Sequence, residues 1–376
     1  MEITVENSYS TFLPTTSTAT TGCNLTTTNA TESSSEFVFD DYTQRVIVAT
    51  AVICTSLLGI CGNSLVILSV MLSRKLRTAS NVFIVNLACS DLLTSLHTPW
   101  NAVALLSRNG WPLPAWICTA AAGIMFVCVG CSLYNLASIA IDRYIVITRV
   151  HYRIEGAIYP RYIMVVWIAL TWLLPVMIFI VPPLNRTGGL GFNAKYHSCS
   201  QLSSSSTSNT YDVITSIGLY PIPLIIIMTS YITIYVHIRR HGKYMMTMTN
   251  GGEDHDTQVT TRVKERQVQI TKNMFLVVCA FYFCITPYGI SLVFDASDPV
   301  VPYVATMVLM NACINPLIYA KHPLFKDVYK KMLTCRWREV IGEGTSQRMM
   351  RMKSIASRRS PNYIAHQNNS NDKPTV

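Results

Sequence analysis

The sequence predicts an all-α membrane protein: a seven-transmembrane helix bundle, N-terminus outside and C-terminus inside, with a short amphipathic eighth helix. Three observations predict it. The chain is 50% hydrophobic and only 13% charged, against roughly 25% charged in soluble domains. Apolar runs of bilayer-spanning length recur seven times. The basic residues gather on one side of those runs.

A helix needs about 20 apolar residues to cross the hydrocarbon layer. The runs cover 46–72, 80–106, 115–148, 161–183, 211–238, 268–294 and 300–320, each almost free of charge at its centre. The connections are short except 184–210 and 239–267, and no internal repeat of the transporter kind is present. One set of connections carries Arg74, Lys75 and Arg77, then Arg149, Arg153 and Arg161, then Arg239, Arg240, Lys243, Arg262, Lys264 and Arg266. The other carries Arg45, Arg108, Arg186 and Lys195. Positive charge marks the cytoplasmic side, which sets the orientation and predicts a multi-pass plasma-membrane protein.

Four regions follow. Residues 1–44 are Ser/Thr-rich and acidic and read as a disordered, glycosylated extracellular tail, with sequons at Asn24 and Asn29. The first twenty residues contain no apolar core of a cleaved signal peptide. Residues 45–321 form the membrane domain, with a third outer sequon at Asn185. Residues 322–335 place Leu324, Phe325, Val328 and Leu333 on one side and lysines opposite, the pattern of a helix lying on the membrane surface. Cys335 directly after it suits palmitoylation. Residues 336–376 read as a disordered cytoplasmic tail, where Ser354, Ser357 and Ser360 among basic residues invite kinases.

Composition excludes several classes. The net charge of +10 flanks apolar runs and forms no basic groove, so no nucleic-acid partner is expected. Most of the twelve cysteines lie inside apolar segments, as small hydrophobes do; Cys128 and Cys131 form a CxxC pair, but it has no partner pair or nearby His at zinc spacing and reads as core packing. A membrane enzyme finds no His/Glu zinc motif or GxSxG elbow in a span. A seven-helix transporter or pump would need several mid-span charges, and Asp91 is the one clearly central.

Ionisable groups within spans are functional candidates by default. Asp91 stands in "NLACSDLL", Asn63 in "GICGNSLVIL", Ser132 and Asn135 in the third span, and Asn311 and Asn315 in "NACINPLIY". Interhelical hydrogen bonding would also account for the asparagines, but a lone carboxylate needs a proton or a cation. Pro287 and Pro316 interrupt the sixth and seventh spans, and a helix that loses a backbone bond can bend there.

Taken in order, these motifs resemble the rhodopsin-like (class A) G-protein-coupled receptors along about 42–335. They are Gly62-Asn63, "NLACSD", Asp142-Arg143-Tyr144 in "SIAIDRYIVITR", Trp167, Pro223 with Tyr231, Pro287 and "NPLIY" from Asn315 to Tyr319. The resemblance implies a disulfide between Cys118 and Cys199. It implies that Asp142 pairs with Arg143 at rest, and that an outward swing of the sixth span frees Arg143 for a heterotrimeric G protein. Tyr231 and Tyr319 would support that open state, and Asp91, Ser132, Asn311 and Asn315 resemble a site for an allosteric sodium ion. No other cofactor is implied. Arrestin and receptor kinases are the expected tail partners, with membrane lipid along the spans.

The sequence also departs from the pattern. Ile285 stands where the family has Trp before the proline, leaving Phe281 to carry more of the motion. Gln267 stands where an acid faces the DRY arginine, so basal activity is expected. Met125 replaces the aspartate of amine receptors, and Leu309 the lysine of opsins, which removes amines and retinal as ligands. The expected pocket is Met125, Phe126, Val129, Ile285, Tyr288, Ala305 and Leu309, with Asn101, Trp100 and His97 adding polarity. Such a lining suits a neutral or lipid-like small molecule; a peptide is the alternative, given the long second outer loop. "NGWPLPAWIC" and "GCSLYNLASIAIDRY" are similar to the melatonin-receptor group and related orphan receptors, although Asp142 stands where that group usually has Asn.

Overall fold

Asp41 starts the first helix. Its carboxylate accepts from the backbone N–H groups of Thr43 and Gln44 at 2.9 and 3.3 Å, which satisfies two of the amides a helix start leaves open. The computed structural model describes residues 37–148, 161–202, 208–248, 255–291, 295–321 and 323–341. From Asp41, α1 runs Tyr42–Leu72. A 3-10 turn leads to α2 (Ala79–His97), capped by Thr78. Pro99 has no N–H to continue α2, so α3 (Pro99–Leu106) restarts the second span.

The third span is α4 (Ala115–Thr148), and the fourth is α5 (Arg161–Phe179) with the single turn α6 (Val181–Leu184). A hairpin of β1 (Leu190–Asn193) and β2 (Ser198–Gln201) follows, antiparallel, with Phe192 opposite Cys199. The fifth span is α7 (Ser208–Leu219) and α8 (Pro221–Met248), again restarted at a proline. The sixth is α9 (His255–Ser291) and the seventh α10 (Val301–Lys321), followed by α11 (Pro323–Leu333). Seven of the described helical segments are long and apolar enough to cross a membrane. Leu57, Leu58, Val165 and Phe283 project from them exposed, as side chains facing lipid do.

The order of the chain extends beyond the predicted boundaries. Residues 37–44 belong to the structured part: Phe39 is 3% exposed and packs edge-on against Tyr303 with ring centroids 5.9 Å apart. The 239–267 connection is mostly helix, because α8 continues to Met248 and α9 begins at His255; Arg, Lys, Gln and Met sustain a helix past the membrane edge. Residues 337–341 are helical, and Val340 is buried. Among the described side chains of α11, Phe325, Val328, Tyr329 and Met332 are buried while Leu333 is exposed; the Leu324 side chain lies outside those described. Met332 is held in place by Ser69, whose hydroxyl lies 3.1 Å from its sulfur. Asn24, Asn29 and the tail serines lie outside the described residues.

Packing depends on small residues where helices touch. A Cβ at Gly62 would come within 2.9 Å of two Pro316 side-chain carbons, so glycine is what lets α1 approach α10 at its proline. The main core joins Leu87, Leu133, Leu136, Tyr231, Phe281, Ile285 and Tyr319 in one cluster. A smaller cluster links Val52, Ala102, Leu105 and Leu309, and a third surrounds the Cys118–Cys199 disulfide.

Candidate functional site

The bundle centre holds a polar network on three helices. Asp91 is 2% exposed. Its carboxylate accepts from Asn315 Nδ2 at 2.7 Å and from Ser132 Oγ at 3.2 Å, and the Ser132 hydroxyl also meets Ser90 Oγ at 2.9 Å. The side-chain carbonyl oxygens of Asn311 and Asn315 are buried without a hydrogen-bond partner. Asp91, Ser132 and Asn311 line a small cavity with Thr94, roofed by Val129, Phe281 and Ile285. The room inside it for the centre of a water-sized body is ≈ 10 Å³, about that of one water or one small ion. Asn63 is buried on α1, where its amide donates to the Gly59 and Ala312 carbonyls at 2.9 and 2.8 Å, tying α1 to α10.

A second buried network lies between α2, α4 and α5. Asn86 Nδ2 donates to Asn135 Oδ1 at 2.9 Å and to Thr171 Oγ1 at 3.0 Å, and Asn86 Oδ1 accepts from the Trp172 indole at 2.9 Å. Trp167, the tryptophan the sequence pattern selects, instead packs edge-on against Phe83 at 5.7 Å. Asn86 stands within "NLACSD", but spacing alone does not show which of two tryptophans on α5 faces it.

At the other end of α4, Arg143 and Asp142 are both buried. Arg143 Nη2 lies 2.5 Å from Asp142 Oδ2, and Nε lies 3.1 Å from it. Tyr144 follows, packed at the edge of the main core. The hydroxyls of Tyr231 and Tyr319 are buried without a partner. Tyr231 meets Phe275 edge-on at 5.0 Å, and Tyr319 stacks on Phe325 at 5.7 Å. Pro287 and Pro316 lie inside α9 and α10. Gln267 falls in α9 among residues whose side chains are not described.

The opposite end is covered by the hairpin. Cys199 is joined to Cys118, and its backbone N–H donates to Asn101 Oδ1 at 2.9 Å. Asn101, expected to line the pocket, therefore spends its carbonyl on holding β2. The other expected lining residues divide among separate settings. Val129 and Ile285 roof the cavity over Asp91. Met125 and Leu309 pack with Val52, Ala102 and Leu105. Phe126 stacks on Phe179 at 5.2 Å. Ala305 is half-buried on α10, and the Tyr288 carbonyl accepts from Ser291 Oγ at 2.8 Å. His97 bonds to the Leu93 carbonyl of its own helix. Asn185 is exposed at the end of α6, and Cys335 is exposed just beyond α11.

Residues 62–319 match the family pattern described as 7 transmembrane receptor (rhodopsin family). Among curated proteins, melatonin receptor type 1A of Mus musculus is 29% identical, covering 84% of this chain and 88% of that one. Melatonin receptor type 1B of Rattus norvegicus is 30% identical over 77% and 79% of the two chains. The Gq-coupled rhodopsin of Mizuhopecten yessoensis is 28% identical over 76% and 59%. The crystal structure of squid rhodopsin superposes with a TM-score of 0.69 at 22% identity, covering 80% of this chain and 91% of that one.

Proposed function

The chain belongs to the rhodopsin family of seven-transmembrane receptors, and from that premise we propose that it passes an extracellular ligand signal to heterotrimeric G proteins by an outward movement of α9. It is a multi-pass membrane receptor, not an enzyme.

The observation that carries the reading is the inner end of α4. Arg143 is held by its own neighbour Asp142, while the Tyr231 and Tyr319 hydroxyls are buried and unpartnered in one core cluster. An unmade buried hydrogen bond costs about 1–3 kcal/mol. A second arrangement that frees Arg143 and satisfies both hydroxyls is then within reach of a ligand that favours it. Pro287 supplies the bend in α9, and Phe281 and Ile285 below it join the core that would have to repack. Asn315 and Pro316 link that movement to Asp91.

The Asp91 residues fit a sodium ion. The Asp91 carboxylate, the Ser132 hydroxyl and the orphaned Asn311 amide oxygen around one small cavity are oxygen donors, which hard cations prefer. Asp91, Ser132, Asn311 and Asn315 would hold it, and the ion would supply charge compensation favouring the resting arrangement. The apolar character of the expected lining, Met125, Phe126, Val129, Ile285 and Leu309, supports a neutral or lipid-like ligand. The N-terminus is assigned to the outside, with α11 and Cys335 at the inner membrane surface, where arrestin and receptor kinases would meet the tail.

The test is ligand-free coupling. Cells expressing the chain beside a panel of G-protein activation sensors are expected to signal basally in one channel. Arg143→Ala at matched surface level is expected to abolish that signal. An equal signal from the variant would refute the role given to Arg143.

A further inference from the structure

The hairpin tip is latched from two sides. Lys195 Nζ lies 2.8 Å from Asp298 Oδ2, and the Tyr196 hydroxyl donates to Asp298 Oδ1 at 2.6 Å. On the other side the Phe39 backbone N–H donates to the Lys195 carbonyl at 2.8 Å. Beside these bonds stands His197. It is 8% exposed and takes the left-handed backbone conformation, with φ 47°. Its ring is edge-on to Phe192, with centroids 6.0 Å apart, and its Nδ1 is buried without a partner.

Two charged groups act on this imidazole through the electrostatic field. Arg45 of α1 is buried, its guanidinium already committed to the carbonyl oxygens of Leu105 and Ser107. Asp40, on the segment before α1, is exposed. A proton on His197 would thus add a second cation beside a buried one, with a single solvated carboxylate to offset them. At this end of the bundle, the other histidine among the described residues is His97, bonded within its own helix.

We propose that His197 makes the hairpin an acid-sensitive latch, closed while the imidazole is neutral and released when it takes up a proton. Burial, and then Arg45, hold its pKa below the usual 6.5, and Asp40 opposes them. A released hairpin exposes the ring, which then titrates near 6.5. The closed form is therefore fully favoured above that pH and loses ground as pH falls through it. For one proton the open-to-closed ratio rises by at most about tenfold per pH unit. The inference goes beyond the receptor reading and does not rest on it, because its test reads the latch and not signalling.

The full chain in lipid nanodiscs would be followed by hydrogen exchange over residues 190–201 and 37–41 between pH 8 and pH 5. Each pH is compared with His197→Asn, which cancels the intrinsic pH dependence of exchange. Asn also tolerates the left-handed conformation. Hairpin protection in the wild type should fall several-fold relative to the variant between pH 7 and pH 5. A ratio that does not change with pH overturns the proposal. Asp40→Asn supplies a second test, since it removes the acid that favours a proton on His197 while the hairpin is closed. The closed hairpin should then tolerate the proton less, so the loss of protection on acidification should be larger than in the wild type, whereas a loss that is unchanged or smaller overturns the proposal even where His197→Asn fails to fold.

Discussion

Asn86→Leu tests whether the α2–α4–α5 network holds the bundle together. The substitution keeps bulk but removes three hydrogen bonds, to Asn135, Thr171 and Trp172. Thr171 keeps its own donation to the Ile168 carbonyl at 2.7 Å, so two groups are orphaned, Asn135 Oδ1 and the Trp172 indole N–H. At about 1–3 kcal/mol per buried unsatisfied group, the loss is about 2–6 kcal/mol. Hydrogen bonds between membrane helices average only about 0.6 kcal/mol, and three of them give about 2 kcal/mol. The bracket is then about 2–4 kcal/mol. At about 2–4 °C per kcal/mol for a domain of this size, the melting temperature should fall by roughly 5–15 °C. Cys128, Cys131, Cys284 and Cys313 are buried free thiols, whereas Cys335 and others are exposed, so the temperature-dependent rise of a thiol-reactive dye above its folded-state baseline reports unfolding of the purified receptor. A double-mutant cycle with Trp172→Phe should show that the two losses overlap, and Trp167→Phe should not couple. A shift of Asn86→Leu within about 1 °C of wild type, or coupling to Trp167 instead, would refute the reasoning.

Other outcomes follow from the same packing and charge. Gly62→Val places a Cβ 2.9 Å from Pro316 and should lower stability by about 1–3 kcal/mol, read as reduced surface expression and a lower melting temperature, with Gly62→Ala milder. Sodium chloride should raise the melting temperature above that in choline chloride at equal ionic strength, and Asp91→Asn should remove the difference; a sodium shift retained in the variant would place the ion elsewhere. Arg143→Ala should silence basal coupling, as set out above. Acidification should loosen residues 190–201 in the wild type and not in His197→Asn.

Hydropathy and charge determined much of this protein without reference to contacts. A bilayer penalises every unpaired backbone group, so each apolar run had to be a helix, and their number and order follow from composition alone. Asp91 was legible for the same reason, since a carboxylate inside an apolar run is too costly to be incidental. The sequence could not say where side chains point once seven helices pack. Helix periodicity gives a face, but a helix within a bundle has neighbours on several sides, so the choice between Trp167 and Trp172 as partner of Asn86 was made by the crossing of α2 and α5. Asn101 is polar on an apolar span, which in sequence points to pocket lining, yet its carbonyl is spent on Cys199 in a hairpin 98 residues away. His197 carried no signal at all in the sequence. Its burial beside Arg45 exists only because the hairpin, the segment before α1 and the start of the seventh span meet there, and only tertiary structure brings segments so distant in the chain within reach of one another.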